Sequence, residues 1–491
     1  MSDRPRWMRW GVTALALAVG GCGAADGEGG RIASPVEARR AMRRTPEAEL
    51  FEKCSRSVVT FTARRVEKRP PARGGDLTHT ERGSGFVIHS GGYILTVCHA
   101  LAKGGRPEIH LQDGKVCPAR VIAQDHARDL ALLKIDAGRP LKPLKLGHSG
   151  DLMVGEKVFV LGNPFGFGLS LGAGLVTGVG RSTKTDFSYL TGMIQTDAGV
   201  NPGVSGGPLV NIFGEVIGMA ISRKDEADGI GLVTAIDTVR TALPGLIAAE
   251  GRYGFVLGVK MDANDTARVK EVVAGSPAAA AGVRAGDVVV SIGGAEIADG
   301  VGFHLALIDR KGGAKLPLKL RRGGKLIEAT VTLGTVAPHP AEKVANLAPG
   351  LEYKAYRGHW QRLPDVRRLK PAETGTMPTF GLGRYAGKDD FALELTGYLD
   401  VPADGVYAFY LLSDDGSRLW IGKRLVVDHD GLHAAIEKRG FVPLKAGKHP
   451  IRVACFEAGG DDALKVLYEG PGIRKQEIPA KALFHKKPPA P

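Results

Sequence analysis

The sequence predicts a mainly β protein made of several domains. Its 491 residues are enough for about three domains of ordinary size. Its 69 glycines and an apolar fraction of 43% are typical of compact domains that are rich in strands and turns. Short apolar runs separated by turn residues recur along most of the chain, and each such run predicts a strand.

Charge and cysteine content exclude some classes of function. The net charge is +14, but the basic residues are scattered and form no dense stripe with interleaved aromatic residues, so we expect no nucleic-acid partner. Five cysteines are too few for a disulfide framework in a chain of this length. Those beyond Cys22 are far apart and lack metal-ligand spacing. One disulfide among them stays open: Cys54, Cys98, Cys117 and Cys455.

Residues 1–22 predict a lipoprotein-type signal peptide. Arginines precede the apolar run at residues 11–19, which is too short to span a bilayer comfortably. The Val-Gly-Gly-Cys ending resembles a bacterial lipobox, which implies cleavage before Cys22 and its lipidation; an ordinary signal cut nearby is the alternative. Residues 23–47 have little apolar pattern and predict a tether. We therefore expect a lipid-anchored protein of the bacterial cell envelope, on the periplasmic side or in the outer membrane.

A serine flanked by glycines is the first candidate for catalysis. Ser205 follows Gly203 and Val204 and precedes two further glycines and an apolar strand at residues 208–210. Glycines let the backbone bend so that several N–H groups point to one spot. Such a spot stabilises the oxyanion that forms when a serine attacks a carbonyl. The same motif is also typical of a turn that enters a strand, so the interpretation depends on a histidine and an acid upstream.

Two upstream residues meet that requirement. His99 follows a predicted strand at residues 93–96 on a short turn, from which a side chain projects into a cleft. Asp129 directly precedes the apolar run at residues 130–135, where an acid either forms a turn or accepts the N–H of a histidine. The second role orients the imidazole and stabilises its charged form. Taken singly, each residue also has a purely structural interpretation.

Together these motifs resemble the HtrA-type (Deg) serine proteases over about residues 49–246. The resemblance also rests on Gly-Ser-Gly-Phe-Val-Ile at residues 83–88 and Gly-Asn-Pro-Phe-Gly at residues 162–166. It implies a chymotrypsin-like double β-barrel over residues 48–248 that requires no cofactor for catalysis. By this resemblance His99 is the general base, Asp129 is the acid that orients it, and Ser205 is the nucleophile. The backbone N–H donors of the oxyanion hole belong to Gly203, Val204 and Ser205.

Two residues depart from the family pattern. The family usually has Asn where Val204 stands, and a stiffer β-branched residue leaves the conformation of the oxyanion loop open. Cys98, beside the expected base, is unusual; we expect it to be buried and inert, with a redox role as the alternative. An inactive protease fold is a further alternative, which the presence of all three triad residues disfavours.

The expected specificity pocket has no acid at its base, although Asp197 is near. By the same resemblance, two short apolar stretches line this pocket: Ala198, Gly199 and Val200, and Ile230, Gly231 and Leu232. A pocket of this kind accepts aliphatic side chains. We therefore predict cleavage after small or medium aliphatic residues rather than after Lys or Arg.

Residues 251–334 resemble a bacterial PDZ domain of the α+β class. The resemblance rests on Gly-Ser-Pro-Ala at residues 275–278 and Gly-Asp-Val at residues 286–288. Such domains add a ligand C-terminus as an extra strand and hold its carboxylate with backbone N–H groups. The matching loop consists of Val256, Leu257, Gly258 and Val259, and a helix near residues 302–309 is the expected second wall. A module that only packs on the protease is the alternative.

The last third of the chain follows a linker at residues 335–348. Alternating strands with aromatic residues and Gly/Asp turns predict a β-sandwich over residues 349–485. The run Ser-Asp-Asp-Gly-Ser-Arg-Leu-Trp-Ile at residues 413–421 resembles a protective-antigen-type (PA-fourteen) domain. Some members of that family are lectins that hold Ca²⁺ with an aspartate pair, which Asp414 and Asp415 match. A plain hairpin turn is the alternative.

These observations predict a serine endopeptidase of the cell envelope that cleaves misfolded or exposed protein segments. Its PDZ domain would recognise peptide C-termini, and its C-terminal domain would bind envelope glycan or another protein. A lipid anchor would attach it to the membrane, and the family resemblance implies a homotrimer. The alternative is a non-catalytic envelope adhesin or scaffold that keeps a protease fold.

Overall fold

The computed structural model describes residues 35–67, 77–101, 106–184, 189–221, 229–261, 266–460 and 462–487. The predicted signal peptide with Cys22, and the first part of the predicted tether, lie outside these residues. The chain divides into two compact units, of which the first ends at Glu49 and the second begins at Leu50. Within the described ranges, no helix is long and apolar enough to cross a membrane. The first two helices are α1 (Pro35–Met42) and α2 (Pro46–Ser55).

Seven antiparallel strands form the first sheet, in the order β5-β4-β1-β2-β3-β7-β6. All five residues of β3 and the first four of β7 are buried, which explains why both strands have nearly continuous apolar sequences. The bounds are β1 (Val58–Glu67), β2 (Leu77–His89), β3 (Tyr93–Val97), β4 (Arg106–His110), β5 (Val116–Pro118), β6 (Arg120–Asp125) and β7 (Leu130–Lys134).

Six further strands close into a barrel in the order β10-β13-β12-β11-β8-β9. Its interior is filled by aliphatic side chains such as Val158, Leu209 and Val233. Two helices follow it, α3 (Ile236–Ile247) and α4 (Ala249–Tyr253). The strand bounds are β8 (Lys157–Gly162), β9 (Ser170–Lys184), β10 (Tyr189–Thr196), β11 (Pro208–Asn211), β12 (Val216–Ile221) and β13 (Gly231–Ala235).

The third domain combines a four-stranded sheet, β18-β17-β19-β20, with the strand pairs β14-β21 and β15-β16. Its two helices begin at side-chain caps, since Ser276 accepts the N–H of Ala279 and Asp299 accepts that of Gly302. The bounds are β14 (Phe255–Val256), β15 (Val259–Met261), β16 (Val269–Val272), α5 (Pro277–Ala280), β17 (Val288–Ile292), β18 (Ala295–Glu296), α6 (Gly300–Ala306), β19 (Lys315–Arg322), β20 (Lys325–Thr332) and β21 (Gly334–Thr335).

The C-terminal domain consists of two sheets, one of eight strands and one of four in the order β29-β26-β31-β32. Leu395 and Val453 of the larger sheet share one apolar core with Phe409 and Val466 of the smaller sheet. The bounds are β22 (Leu347–Pro349), β23 (Leu351–Arg357), β24 (Glu373–Met377), β25 (Phe391–Val401), β26 (Gly405–Ser413), β27 (Ser417–Ile421), β28 (Arg424–His429), β29 (Ile436–Leu444), β30 (Gly447–Glu457), β31 (Leu464–Gly470), β32 (Ile473–Glu477) and β33 (Leu483–Lys486).

The helices α3 and α4 are the places where these domains meet. From α3, the fully buried Arg240 donates to Asp299, at 2.8 Å, and so holds the third domain. From the C-terminal domain, Arg439 donates to the carbonyl oxygens of Gly245 and Leu246 at 2.6 and 2.8 Å. The predicted mainly β fold class is confirmed, and the domains are packed together through a small helical region.

Candidate active site

Strand pairing brings the predicted base and its acid together. Strands β3 and β7 are antiparallel neighbours in which Val97 pairs with Leu130, so the residues just beyond these ends are adjacent. His99 Nδ1 lies 2.6 Å from Asp129 Oδ2, and the His99 backbone N–H donates to Asp129 Oδ1 at 2.9 Å. Because Nδ1 faces a carboxylate it carries the proton, which leaves Nε2 as the acceptor that a general base requires.

Asp129 is well suited to hold the imidazole. Only 3% of the residue is exposed, and its φ of 55° lies in the left-handed region that aspartate tolerates better than most residues. Its backbone carbonyl accepts the N–H of Cys98 at 3.2 Å. The carboxylate is therefore fixed from both its side chain and its backbone before any proton transfer takes place.

The glycine-rich loop before Ser205 forms a type II turn. Val204 N–H donates to the Asn201 carbonyl at 3.0 Å, Pro202 occupies the first central position, and Gly203 has a φ of 95° at the second. A Cβ on Gly203 would lie 2.3 Å from the Asn163 carbonyl oxygen, so only glycine fits.

The direction of the Gly203 N–H follows from the same turn. The Pro202 carbonyl accepts the N–H of Phe165 at 2.8 Å. In a trans peptide the carbonyl and the following N–H point in opposite directions, so the Gly203 N–H is turned away from Phe165. This is the orientation in which it would act with the Ser205 N–H as an oxyanion donor.

Val204, the residue that departs from the family pattern, points into the barrel. It is 2% exposed and belongs to the same apolar cluster as Val158, Ala198 and Leu209. Its carbonyl accepts the N–H of Gly207 at 2.7 Å. The β-branched side chain is thus accommodated by core packing, with the turn around it formed.

Ser84 links the first sheet to this loop and was not singled out from the sequence. Its N–H donates to the Ser205 carbonyl at 2.8 Å, and its hydroxyl donates to the Gly203 carbonyl at 2.7 Å. The same hydroxyl accepts the N–H of Asn163 at 3.0 Å. The Gly-Ser-Gly motif of strand β2 was the available signal, because flanking glycines allow a strand to approach another backbone closely.

The two stretches of the predicted specificity pocket are neighbours in the barrel. Strands β10 and β13 pair Thr196 with Gly231, and a Cβ on Gly231 would come within 2.6 Å of the Val200 side chain. Ala198 and Leu232 are buried, whereas Ile230 is 46% exposed at the rim. Gly199 lies between Ala198 and Val200 in the first of these two stretches. The arrangement is apolar and is narrowed by Val200.

Asp197 does not provide a charged base for that wall. Its Oδ1 accepts the backbone N–H of Leu175 at 2.6 Å, which holds strand β9 against the loop.

Cys98, next to the base, is buried and its Sγ lies 2.9 Å from the Leu130 carbonyl oxygen. Burial and then the charge of Asp129 raise the pKa of the Cys98 thiol well above its usual value, so it stays protonated and unreactive. The cysteines that the structure describes are free thiols: Cys54, Cys98, Cys117 and Cys455.

The predicted carboxylate loop of the third domain already has a carboxylate on it. Leu257 and Gly258 both donate their backbone N–H groups to Glu250 Oε1, each at 3.2 Å. Val256 lies in β14 opposite Gly334, and Val259 begins β15. Glu250, which belongs to helix α4, was not singled out from the sequence.

A third carboxylate joins the predicted aspartate pair in the C-terminal domain. One oxygen each of Asp414, Asp415 and Glu457 lies within 4.8 Å of the others. Asp415 also accepts the backbone N–H groups of His433 at 3.3 Å and Ala458 at 2.8 Å. Three hard oxygen donors in one place are a set that suits Ca²⁺.

Glu457 has an unusual pKa as a result of this setting. Only 2% of the residue is exposed, and burial, with the charges of Asp415 and Asp414, raises its pKa to about 7. Three neighbouring carboxylates cannot all ionise cheaply without a counter-charge. A proton on Glu457 or a nearby cation would each reduce the repulsion between these carboxylates.

His99 and Asp129 lie just beyond the ends of two neighbouring strands, and Gly206, which follows Ser205, packs against Thr96 of the strand that leads to His99. A His–Asp pair beside a glycine-flanked serine is the arrangement of the trypsin-like class of serine peptidases. Family profiles agree, because residues 83–219 match a trypsin-like peptidase domain. Residues 256–333 match a PDZ domain and residues 363–482 a PA14 domain. The chain thus contains all three domains, as the resemblance in its sequence predicts.

The relatives of this chain are DegP-like serine endoproteases. It is 33% identical over 300 residues to the "probable periplasmic serine endoprotease DegP-like" of Pseudomonas putida strain W619, over 57% of this chain and 62% of that protein. It is 34% identical over 287 residues to the periplasmic pH-dependent serine endoprotease DegQ of Escherichia coli K12, over 55% of this chain and 63% of that protein. The chain spans less than two thirds of the length of these relatives.

Solved structures of HtrA-type proteases also align with the chain. The HtrA-type protease AlgW with a decapeptide is 25% identical over 60% of this chain and 100% of its own, with a TM-score of 0.38. The serine endoprotease from Yersinia pestis is 25% identical over 60% of this chain and 99% of its own, with a TM-score of 0.34.

Proposed function

We propose that this chain is a serine endopeptidase of the HtrA type that hydrolyses peptide bonds in unfolded or misfolded proteins. The observation that carries the proposal is the 2.6 Å contact between His99 Nδ1 and Asp129 Oδ2. Gly206, which follows Ser205, packs against Thr96 of the strand that leads to His99. The relatives named serine endoproteases and the matched peptidase domain support the same reaction. Hydrolysis of this kind requires no cofactor.

Each residue has a defined role in the proposed mechanism. Ser205 Oγ attacks the scissile carbonyl and gives its proton to His99 Nε2, which later passes it to the leaving amine. Asp129 keeps the imidazole in the correct tautomer and stabilises its charged form. The N–H groups of Gly203 and Ser205, on the turn around Val204, stabilise the oxyanion. A positioned base contributes about 10²–10⁴ in rate, and one oxyanion donor about 10²–10³.

The expected substrates follow from the pocket and the PDZ domain. The apolar wall narrowed by Val200 favours small or medium aliphatic side chains before the cut. The loop around Gly258 would hold the C-terminal carboxylate of a peptide that adds to β15 as a strand. Mapping the cut sites in a digested unfolded protein tests the first point, and a majority of Lys or Arg before the cut would contradict it.

The place of action is the bacterial cell envelope. The relatives are named periplasmic, and the signal-like residues 1–22 with Cys22 support attachment through a lipid. Metabolic labelling with a radioactive fatty acid tests the anchor, since label should be lost with Cys22→Ser. The family resemblance also supports a homotrimer. Sedimentation analysis of residues 23–491 would measure the mass of the assembly.

We also propose that the PA14 domain holds Ca²⁺ and, through it, envelope glycan. The cluster of Asp414, Asp415 and Glu457 supports this because its oxygen donors suit Ca²⁺ and its negative charges attract a cation. Calorimetry with Ca²⁺ would show binding in the wild type and none in Asp415→Asn. Absence of heat in the wild type would remove the metal, and a glycan array with and without Ca²⁺ tests the sugar.

The protease reaction is tested by degradation of reduced casein by residues 23–491. Ser205→Ala in the same chain is the matched control, and the proposal expects activity that disappears in this variant. A phosphonate label that attaches to Ser205 would show an activated serine even where casein is a poor substrate. If casein is not degraded and the phosphonate does not label Ser205, the alternative of a non-catalytic adhesin or scaffold would be favoured.

A further inference from the structure

The carboxylate loop of the PDZ domain is occupied in cis. Glu250 belongs to helix α4, outside the matched PDZ region of residues 256–333. Its Oε1 nevertheless accepts the N–H groups of Leu257 and Gly258, the centre of the loop that would hold the C-terminus of a peptide. A carboxylate from the chain itself thus stands where the proposed function requires a carboxylate from a ligand.

The loop has the geometry of an anion site rather than of an accidental contact. The Leu257 carbonyl accepts the N–H of Ala278 at 3.0 Å, and the Gly258 carbonyl accepts the N–H of Val273 at 2.9 Å. Because the Leu257 carbonyl is directed into the domain, the Gly258 N–H of the same trans peptide points outward. The Leu257 N–H converges with it on one oxygen of Glu250, as in backbone anion nests. The φ of 80° at Gly258, and the 2.2 Å that would separate a Cβ there from Ser276, require glycine.

We propose that Glu250 is an internal pseudo-ligand that caps the PDZ domain, so that a peptide C-terminus binds only by displacing it. The inference rests on the proposed peptide recognition and adds its regulation. Two carboxylates cannot share the same two N–H donors, so occupation by Glu250 and by a peptide are mutually exclusive. The apparent Kd of the peptide is then the Kd of the uncapped loop divided by the uncapped fraction of molecules.

Displacement of Glu250 acts on a helix that contacts two other domains. Within α4, Gly251 packs on the ring of Phe441 in the C-terminal domain. Arg252 donates to the Ile122 carbonyl of the first sheet at 3.1 Å, and the Tyr253 hydroxyl bonds that of Tyr93 in β3. The cap is therefore part of the joint between the domains, and its release removes two hydrogen bonds from this joint.

Peptide binding to capped and uncapped chains tests the proposal. The protein is residues 23–491 with Ser205→Ala, so that no peptide is cleaved. The probe is a fluorescein-labelled decapeptide with apolar C-terminal residues and a free carboxylate, measured by anisotropy, beside the same peptide as a C-terminal amide. Glu250→Ala and the near-isosteric Glu250→Gln should each lower the Kd of the carboxylate peptide, about tenfold if the loop is capped nine-tenths of the time. Glu328→Ala, an exposed change on β20, should leave it unchanged.

The outcomes separate the cap from the function on which it rests. Equal Kd values for wild type and both Glu250 variants would overturn the cap and leave peptide recognition intact. Binding by none of the proteins, or equal binding of acid and amide peptides, would overturn carboxylate recognition and the cap with it. Glu250→Gln serves if Glu250→Ala does not fold, as judged by circular dichroism. Faster hydrogen exchange at Leu257 and Gly258 in the variants is the expected accompanying result.

Discussion

Replacing Ser84 by Ala removes the hydroxyl that ties the first sheet to the catalytic loop. The change leaves the Gly203 carbonyl without its 2.7 Å donor and the Asn163 N–H without its 3.0 Å acceptor, both in a partly buried setting. A buried polar group left unsatisfied costs about 1–3 kcal/mol. Because partial relaxation will satisfy one of the two groups again, we expect the free energy of unfolding to fall by about 1–3 kcal/mol in total.

The catalytic effect of Ser84→Ala should be larger than its effect on substrate binding. The hydroxyl fixes Gly203, whose N–H is an expected oxyanion donor, and complete loss of one such donor costs about 10²–10³ in kcat. A loosened donor should cost less, so we expect kcat for a chromogenic aliphatic peptide to fall about 10–100-fold. KM should change little, since the hydroxyl acts only through the loop.

The matched control is Ser170→Ala, an exposed serine whose hydroxyl donates to the Gly168 carbonyl at 3.2 Å. It should retain full stability and kcat. Urea unfolding and steady-state kinetics at 25 °C measure both quantities for the two variants. A Ser84→Ala protein with kcat within twofold of the wild type would refute the argument that this hydroxyl positions the oxyanion turn. A rise in KM with unchanged kcat would instead place Ser84 in substrate binding.

Three further predictions follow from the site and the carboxylate cluster. Asp129→Asn should keep the fold but lower kcat about 10⁴-fold, because the amide favours the wrong histidine tautomer; near-normal kinetics on a peptide substrate would exclude Asp129 from this role. Val200→Ala should widen the pocket and raise kcat/KM for a Phe peptide over a Val peptide about tenfold; an unchanged ratio would place the pocket wall elsewhere. Without metal, the pKa of Glu457 is raised to about 7, so the folded state holds the proton of this carboxyl more tightly than the unfolded chain does. The contribution of the protonated Glu457 to the free energy of unfolding should therefore fall as pH rises from about 4.5 to about 7. For the same reason Ca²⁺ should bind more tightly at pH 8 than at pH 6, and its binding at pH 6 should release a proton from Glu457. Calorimetry at pH 6 in two buffers of different ionisation enthalpy measures the proton, and an affinity independent of pH would contradict the prediction.

Local pattern was enough to predict the fold class. Apolar runs of strand length between glycine and aspartate turns indicated a mainly β chain, and the structure confirms it. The motifs of the three domains are also local, and the family profiles match each of them. The individual domain boundaries and the roles of the site residues stay predictions, which the experiments above address.

The features that the sequence did not reveal depend on distant pairings. Ser84 and Gly203 are 119 positions apart, and nothing in either motif specifies the other. Glu457 reaches the aspartate pair because β30 pairs with β27, a register that an isolated strand pattern does not contain. Glu250 is only seven positions from Leu257, but its role depends on the turn between α4 and β14. In each case the missing information was which backbone groups meet.

The length of α4 also constrains how such chains can be recombined. Each helical residue advances the chain by about 100° around the axis, at 3.6 residues per turn. Inserting or deleting one residue between Glu250 and Tyr253 would therefore turn the carboxylate away from the PDZ loop, or the phenol away from Tyr93. If the PDZ domain were replaced by that of a relative, the proposed Glu250 cap would be kept only if α4 retained the same number of residues. The five residues of α4 thus act as a spacer whose length sets the directions of Glu250 and Tyr253 relative to each other.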